Sequence, residues 1–418
     1  MDELSLISYI EKNSRENLKF NGSMIIKSIG DDTAIFRDKK NILITSDTLT
    51  ENTHFRTDYY SFSQVGAKSL LANISDIASM GGTPRFFILS LLVPDYLTEA
   101  NIKETIDGII KTAKIDKISL IGGNVSKAGE FSISITLLGD CTDRQMAILR
   151  YSAECDDLIF VSGALGNAWL SYYIMENKEL IKEHIEKFVI NDIDNVLGIN
   201  KAYKTSDTSK TSNVSGNSNN SKTPNISETS NISKASNVSK TSNTSKRTKN
   251  RIIKFIENYA KKNLIHPSRV KLGKILAKNK IANSMTDISD GLYKDINNLL
   301  SSKDKNSSAL IIADNIPLSN EFKSIVKILN LKDTDILNNV ISFGEDYELL
   351  WSIRRSDENK LLEIAKKERI KISKIGSIIN GKTDHYTDFR AGKRVNFIYK
   401  NKSFAIRPIT FKHISNNL

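Results

Sequence analysis

Cysteine is nearly missing from this chain: among 418 residues only Cys141 and Cys155 occur. They form no Cys-x-x-Cys pair and have little histidine nearby, so neither a zinc site nor a disulfide framework is supported, and a reduced cytoplasm is the expected compartment. No run of about eighteen apolar residues is present, which argues against a transmembrane helix and against a membrane partner. The Met1-Asp2-Glu3-Leu4 start is acidic and lacks the basic-then-apolar order of a secretory signal. There is no Gly-x-x-x-x-Gly-Lys-Ser/Thr segment, which excludes a nucleotide held by a P-loop. A basic stripe interleaved with aromatics is also missing, so no nucleic-acid partner is expected. The formal charge of +12 does not contradict this, because residues 204–249 carry eight Lys or Arg against two acids and supply +6 of it.

That same stretch repeats a Ser-Asn-x-Ser-Lys unit, as in Ser230-Asn231-Ile232-Ser233-Lys234, Ser236-Asn237-Val238-Ser239-Lys240 and Ser242-Asn243-Thr244-Ser245-Lys246. With almost no large apolar side chains it cannot offset its ordering entropy by burial, and it is expected to be a disordered insertion at 204–249. A β-solenoid would need regular inward-facing apolar residues, which one Val or Ile per unit does not supply.

The whole chain is 39% hydrophobic, and the sequence on either side of the insertion has the patterning of folded protein. Helices are expected over 3–12, Gln64–Met80, Asn101–Ala113 and Arg251–Lys262, and strands over Ile42–Ser46, Phe86–Val93, Phe131–Leu138 and Asp157–Ser162. Gly81-Gly82-Thr83-Pro84 reads as a break and Gly122-Gly123 as a turn. The fold class is therefore α/β or α+β, with a first unit at 1–148 and a second at 149–418 that contains the insertion.

Against this background four carboxylate segments stand out: Gly30-Asp31-Asp32-Thr33, Thr45-Ser46-Asp47-Thr48, Asn73-Ile74-Ser75-Asp76 and Asp287-Ile288-Ser289-Asp290-Gly291. Acids bedded in Gly, Ser and Thr supply the hard oxygen ligands that Mg²⁺ prefers, and Mg²⁺ in turn holds nucleotide phosphates. Singly, each is equally a turn, a cap or a solvent-facing acid.

Read in order, the segments resemble those of the thiamine-monophosphate kinase family, within the aminoimidazole ribonucleotide synthetase-like ATP-binding superfamily. The similar residues are Gly30-Asp31-Asp32-Thr33-Ala34, Ser46-Asp47-Thr48-Leu49 with His54-Phe55, Ala72 through Gly81, Ile121-Gly122-Gly123-Asn124, Thr286 through Leu292, and Gly344-Glu345-Asp346-Tyr347-Glu348-Leu349. The resemblance implies a two-domain α/β fold, a homodimer formed through the first domain, several Mg²⁺ ions, and ATP and thiamine monophosphate as substrates. It places metal ligation on Asp32, Thr45, Ser46, Asp47, Asp76, Asn124, Asp287 and Asp290, and nucleotide contact on Gly122, Gly123, Arg150 and Ser289. Acceptor contact falls on His54, Glu345 and Tyr386. Asn124 stands where many relatives carry Asp; its amide oxygen can coordinate Mg²⁺ but brings no charge. On the residues alone His54 is equally a packing histidine after a strand.

The implied reaction is direct in-line transfer of the ATP γ-phosphoryl group without a phosphoenzyme. An acceptor phosphate with a second pKa near 6 needs no strong general base, and clustered acids holding Mg²⁺ would screen the repulsion between two polyanions. Fold resemblance alone does not choose among superfamily reactions. Selenophosphate synthetase is disfavoured because the first hundred residues contain no Cys. A noncatalytic nucleotide-binding protein is the alternative from another class, and it predicts ATP binding without product.

Overall fold

The computed structural model describes residues 9–10, 12–16, 19, 25–27, 35–36, 41–141, 147–191, 234–300, 307–380 and 395–406. Of the expected features, most of the 3–12 helix, Asp32, Tyr386 and residues 204–233 lie outside the described residues.

A short antiparallel ribbon of β1 (Ile25–Lys27) and β2 (Ile35–Phe36) precedes the first sheet. Ile42, Ile44, Thr45, Thr48 and Thr50 are β-branched and favour extended backbone, and the chain there forms β3 (Ile42–Thr50). It joins β4 (Thr83–Val93), β5 (Ser119–Lys127) and β6 (Ser132–Asp140) in the order β3-β6-β4-β5, with only β4 and β5 parallel. Helix α1 (Phe62–Ser79) begins two residues before the expected Gln64 because Ser61 caps it: its hydroxyl accepts from Gln64 N, and the Gln64 side chain accepts from Ser61 N. Helix α2 (Glu99–Asp116) makes the crossover between the parallel strands and packs along α1. The two helices meet backbone to backbone, since a Cβ at Gly66 would overlap the Thr105 carbonyl and one at Gly108 would overlap the Ser63 carbonyl.

Two expectations about β4 and β5 require correction. The helix ends at Ser79 before the expected break, with Gly81 at φ 74°, but β4 begins at Thr83 rather than Phe86; Pro84 pairs only with β6 and costs no hydrogen bond to β5, whose pairing begins at Phe86. Gly122-Gly123 is not a turn: both lie inside β5, beyond a bulge between the Phe87 and Ile88 pairings, and Gly123 is needed because a Cβ would strike the Leu89 carbonyl.

The second sheet comprises β7 (Leu158–Ser162), β8 (Ala282–Asp287), β9 (Ser307–Ile312), β10 (Leu349–Ile353), β11 (Ile372–Asn380), β12 (Val395–Tyr399) and β13 (Lys402–Phe404). Their order is β13-β12-β9-β11-β7-β10-β8, and the only parallel pair is β12 with β9. Helices α3 (Asn167–Glu176), α4 (Lys178–Asn191), α5 (Lys234–Asn263), α6 (Val270–Lys278), α7 (Leu292–Leu299), α8 (Asn320–Ile328), α9 (Asp333–Ser342) and α10 (Glu358–Glu368) accompany it. Helix α5 starts at Lys234, well before the expected Arg251, and packs on α3 and α4.

The two sheets share one continuous apolar core that runs from Ile10 to Ile406. Helix α1 is the joint. Its Val65, Leu70, Ile74 and Ile77 are buried, each stabilising by about 1.5–3 kcal/mol. Its far end touches α6, where a Cβ at Gly273 would overlap the Ala78 carbonyl.

Candidate functional site

Side chains alternate along β3, so Thr45 and Asp47 face α1 while Ser46 and Thr48 face away. On α1 the adjacent Ser75 and Asp76 reach two different strands. The Thr45 hydroxyl donates to the Asp76 carboxylate, and the Ser75 hydroxyl donates to Asp287 Oδ2 at 2.6 Å. Asp287 ends β8, so α1 brings the rims of both sheets together.

Burial disfavours the charge on all three carboxylates, and Asp76 adds to this at the other two. Burial, then Asp76, pushes the Asp47 carboxyl up to about 6. Burial, then Asp76, pushes Asp287 up to about 7, with Asp47 adding to it. Asp76 is raised by burial, against the Thr45 hydrogen bond and the nearby Arg150 guanidinium. Such a set holds excess negative potential that a hard dication would relieve. Among the described residues no three His, Cys, Asp or Glu side chains converge closely enough to hold an ion. The donor chemistry of carboxylate and hydroxyl oxygens nevertheless fits Mg²⁺.

Two sequence-predicted residues stand apart from this group within the chain. Ser46 Oγ lies 3.0 Å from Thr136 Oγ1 on the outer face of the sheet. Asn124 pairs with Ser90, which pairs with Ser134, which pairs with Thr48, so it shares that outer face. Its side-chain amide donates to Ser126 Oγ at 2.8 Å. Three strand spacings put β5 about 14 Å from β3. Gly122 and Gly123 lie on that same far strand.

The remaining positions cluster around the end of β8 and the segment before β10. Asp290 is exposed and paired with Lys294 at 2.5 Å. Its backbone N–H donates to Asp295 Oδ2 at 3.0 Å. Asp295 was not singled out in the sequence. It is buried, and burial followed by Asp287 and Asp290 pushes its carboxyl up to about 8. The Ser289 carbonyl accepts from Glu345 N at 2.9 Å, and the Ile288 carbonyl accepts from Tyr347 N at 2.8 Å. Glu345 and Tyr347 both hold left-handed backbone, φ 69° and 48°, a conformation that persists only where surroundings impose it.

Those surroundings are specific. Asp346 accepts from Gly166 N at 2.8 Å and so caps the start of α3. Glu348 takes a bidentate pair from Arg269 and a hydrogen bond from Ser162. Tyr347 stacks on His266 with ring centroids 4.0 Å apart. Glu345 pairs with Lys68 of α1. His54 sits in the turn after β3, its Nδ1 accepting from Thr50 N at 3.0 Å, and its carbonyl receives the Lys68 ammonium at 2.6 Å. Neither Lys68 nor His266 was recognised from sequence. For Lys68 a signal existed, a lone cation on the apolar face of a helix beside Val65, Leu71 and Ala72.

Residues 30–141 match the family described as AIR synthase related protein, N-terminal domain. The chain is similar to the thiamine-monophosphate kinase of Buchnera aphidicola (subsp. Acyrthosiphon pisum), 28% identical over 383 residues that cover 90% of each chain. It is also similar to the Bacillus subtilis protein of that name, 37% identical over 171 residues, 40% of this chain and 51% of the relative. The match thus spans about half the length of the Bacillus relative and nine-tenths of the Buchnera one. A solved structure described as AaThiL complexed with AMPPCP and TMP aligns with a TM-score of 0.58 at 22% identity, covering 96% of both chains. The mixed α/β architecture expected from the sequence is the one the structure has, and this neighbour shares its fold.

Proposed function

We propose that this protein phosphorylates thiamine monophosphate with ATP, yielding thiamine diphosphate and ADP. The observation that carries the reading is similarity to thiamine-monophosphate kinases along nine-tenths of the chain, in a structure that gathers Asp47, Asp76 and Asp287 at one rim. A neighbour of the same fold is described as complexed with AMPPCP and TMP. An acceptor phosphate oxygen forms the new bond to the γ-phosphorus as the bond to the ADP oxygen breaks, and no protein nucleophile is needed.

In this reading Asp32, Thr45, Ser46, Asp47, Asp76, Asn124, Asp287 and Asp290 hold Mg²⁺, which when bound screens the phosphate charges. Gly122, Gly123, Arg150 and Ser289 contact the nucleotide. His54, Glu345 and Tyr386 contact the acceptor. The division at 148/149 follows the separation of the two sheets along the chain. The protein acts in the cytoplasm as a homodimer, joined through the open face of the four-stranded sheet, where Ile44 is 68% exposed and Ile88 39%. That face also carries Ser46 and Asn124, so their contribution would arise at the contact between copies.

The test is thiamine diphosphate formation by the purified protein given ATP, Mg²⁺ and thiamine monophosphate, with Asp47→Asn alongside. Product from the wild type and little from the variant supports the kinase. ATP binding without product from the wild type overturns it in favour of a nucleotide-binding role. Light scattering on Ile44→Glu reads the dimer: a folded monomer is expected, and an unchanged mass would sink that contact.

A further inference from the structure

The Lys68 side chain is 1% exposed and lies in the middle of the buried face of α1. An ammonium withdrawn from water costs several kcal/mol unless every proton is taken. Here four oxygens take it: the His54 carbonyl at 2.6 Å, the Tyr172 hydroxyl at 3.2 Å, the Tyr60 hydroxyl at 3.3 Å and the Glu345 carboxylate. The two tyrosine hydroxyls are themselves hydrogen-bonded at 2.6 Å. Burial works against the charge, and Glu345 and Tyr60 more than offset it, so the lysine is held protonated.

These partners come from four separate pieces of chain: the turn after β3, the entry to α1, helix α3 and the left-handed Glu345 segment before β10. None is a sequence neighbour of another, yet all converge on one nitrogen. A hydrophobic side chain could fill the space, but it could not fix both a main-chain carbonyl and a carboxylate.

We propose that Lys68 is a positioning residue for the acceptor, setting the separation between His54 and Glu345 and fixing one Glu345 oxygen so that the other meets the acceptor. This rests on the reading that His54 and Glu345 contact thiamine monophosphate. Because Lys68 balances Glu345 charge for charge, the pair selects its acceptor by hydrogen-bond geometry rather than by net charge. The Lys68 ammonium is bonded to four protein oxygens, two of them on His54 and Glu345, so its loss is expected to fall on the acceptor side.

The experiment compares the full-length wild type with Lys68→Met, reading amide hydrogen exchange of residues 50–56 and 343–349 without substrate, then KM for thiamine monophosphate and for ATP. Expected are exchange at least about tenfold faster in both segments, an acceptor KM raised at least about tenfold, and an ATP KM within about threefold. A merely structural role would speed exchange throughout the chain and raise both KM values together, which would overturn the proposal. Unchanged exchange in either segment would overturn it too. If Lys68→Met fails to fold because Glu345 is left unpaired, Lys68→Met/Glu345→Gln is measured against Glu345→Gln alone, and exchange over 50–56 decides. A wild type that makes no thiamine diphosphate defeats the kinase reading, whereas the exchange result on the substrate-free protein still judges whether Lys68 ties the two segments.

Discussion

Asp47→Asn should make the metal-free protein more stable while removing its activity. The substitution keeps the shape of the side chain and deletes a charge that burial and Asp76 both disfavour. The Asp47 carboxyl is raised from 3.8 to about 6, and each pKa unit corresponds to about 1.4 kcal/mol, an upper limit of about 3 kcal/mol. Solvent reaches part of the group, and screening reduces this to about 1–2 kcal/mol. The sign follows from linkage: a carboxyl whose folded pKa lies above its unfolded value contributes no penalty below about pH 4, and the penalty grows until the pH passes about 6. The advantage of the variant over the wild type should therefore rise by about 0.5–1 kcal/mol between pH 5 and pH 7.5 and then level off. Urea unfolding in the presence of a chelator measures it. Added Mg²⁺ should reverse the ranking, since a ligand at a hundred times its Kd stabilises the wild type by about 2.7 kcal/mol. A variant less stable than the wild type at pH 8 without metal, or an advantage flat across the pH range, would refute the reasoning.

Three further outcomes follow from packing. Gly123→Ala should lower the melting temperature by several degrees, because its Cβ meets the Leu89 carbonyl, whereas Gly122→Ala, with Ile88 Cγ2 at 3.7 Å as its nearest neighbour, should melt like the wild type. Arg269→Met leaves the buried Glu348 carboxylate without its bidentate partner and should cost about 3 kcal/mol in chemical unfolding. Replacing residues 204–230 by a short Gly-Ser linker stops before α5 begins at Lys234 and should leave turnover within about twofold, since loop-closure entropy varies only logarithmically with length.

How much of this was legible in the sequence depends on the range of the interaction. Asp47, Asp76 and Asp287 could be picked out because small polar residues frame each acid locally. That Ser46 and Asn124 turn to the other face was implicit in the two-residue period of a strand, but the order β3-β6-β4-β5 was not, so nothing set Asn124 apart from Asp47. Gly122-Gly123 was misread because a turn and a close strand contact both call for glycine, and only the position of the Leu89 carbonyl separates them. Lys68 was hidden for a different reason: its partners His54, Tyr60, Tyr172 and Glu345 are assembled by tertiary contact. The start of α5 was missed because its first turns are polar, and helical periodicity becomes visible only when the apolar residues begin near Ile252.

The two faces of β3 are nearly interchangeable in hydrophobicity: Leu43 and Leu49 point toward α1, Ile42 and Ile44 away. A slip of one residue against β6 would put Ile44 in the place of Leu43 and Thr50 in that of Leu49, losing the burial of one leucine, and it would put Ser46 and Thr48 where Thr45 and Asp47 now stand. Apolar pattern is thus a weak guardian of register in this strand. The turn that follows is the stronger one: Glu51 N bonds to the Phe131 carbonyl, Phe55 is fully buried, and His54 closes on Thr50. Errors in that turn would yield a molecule that folds, melts cooperatively and presents the wrong side chains, a failure invisible to any stability screen.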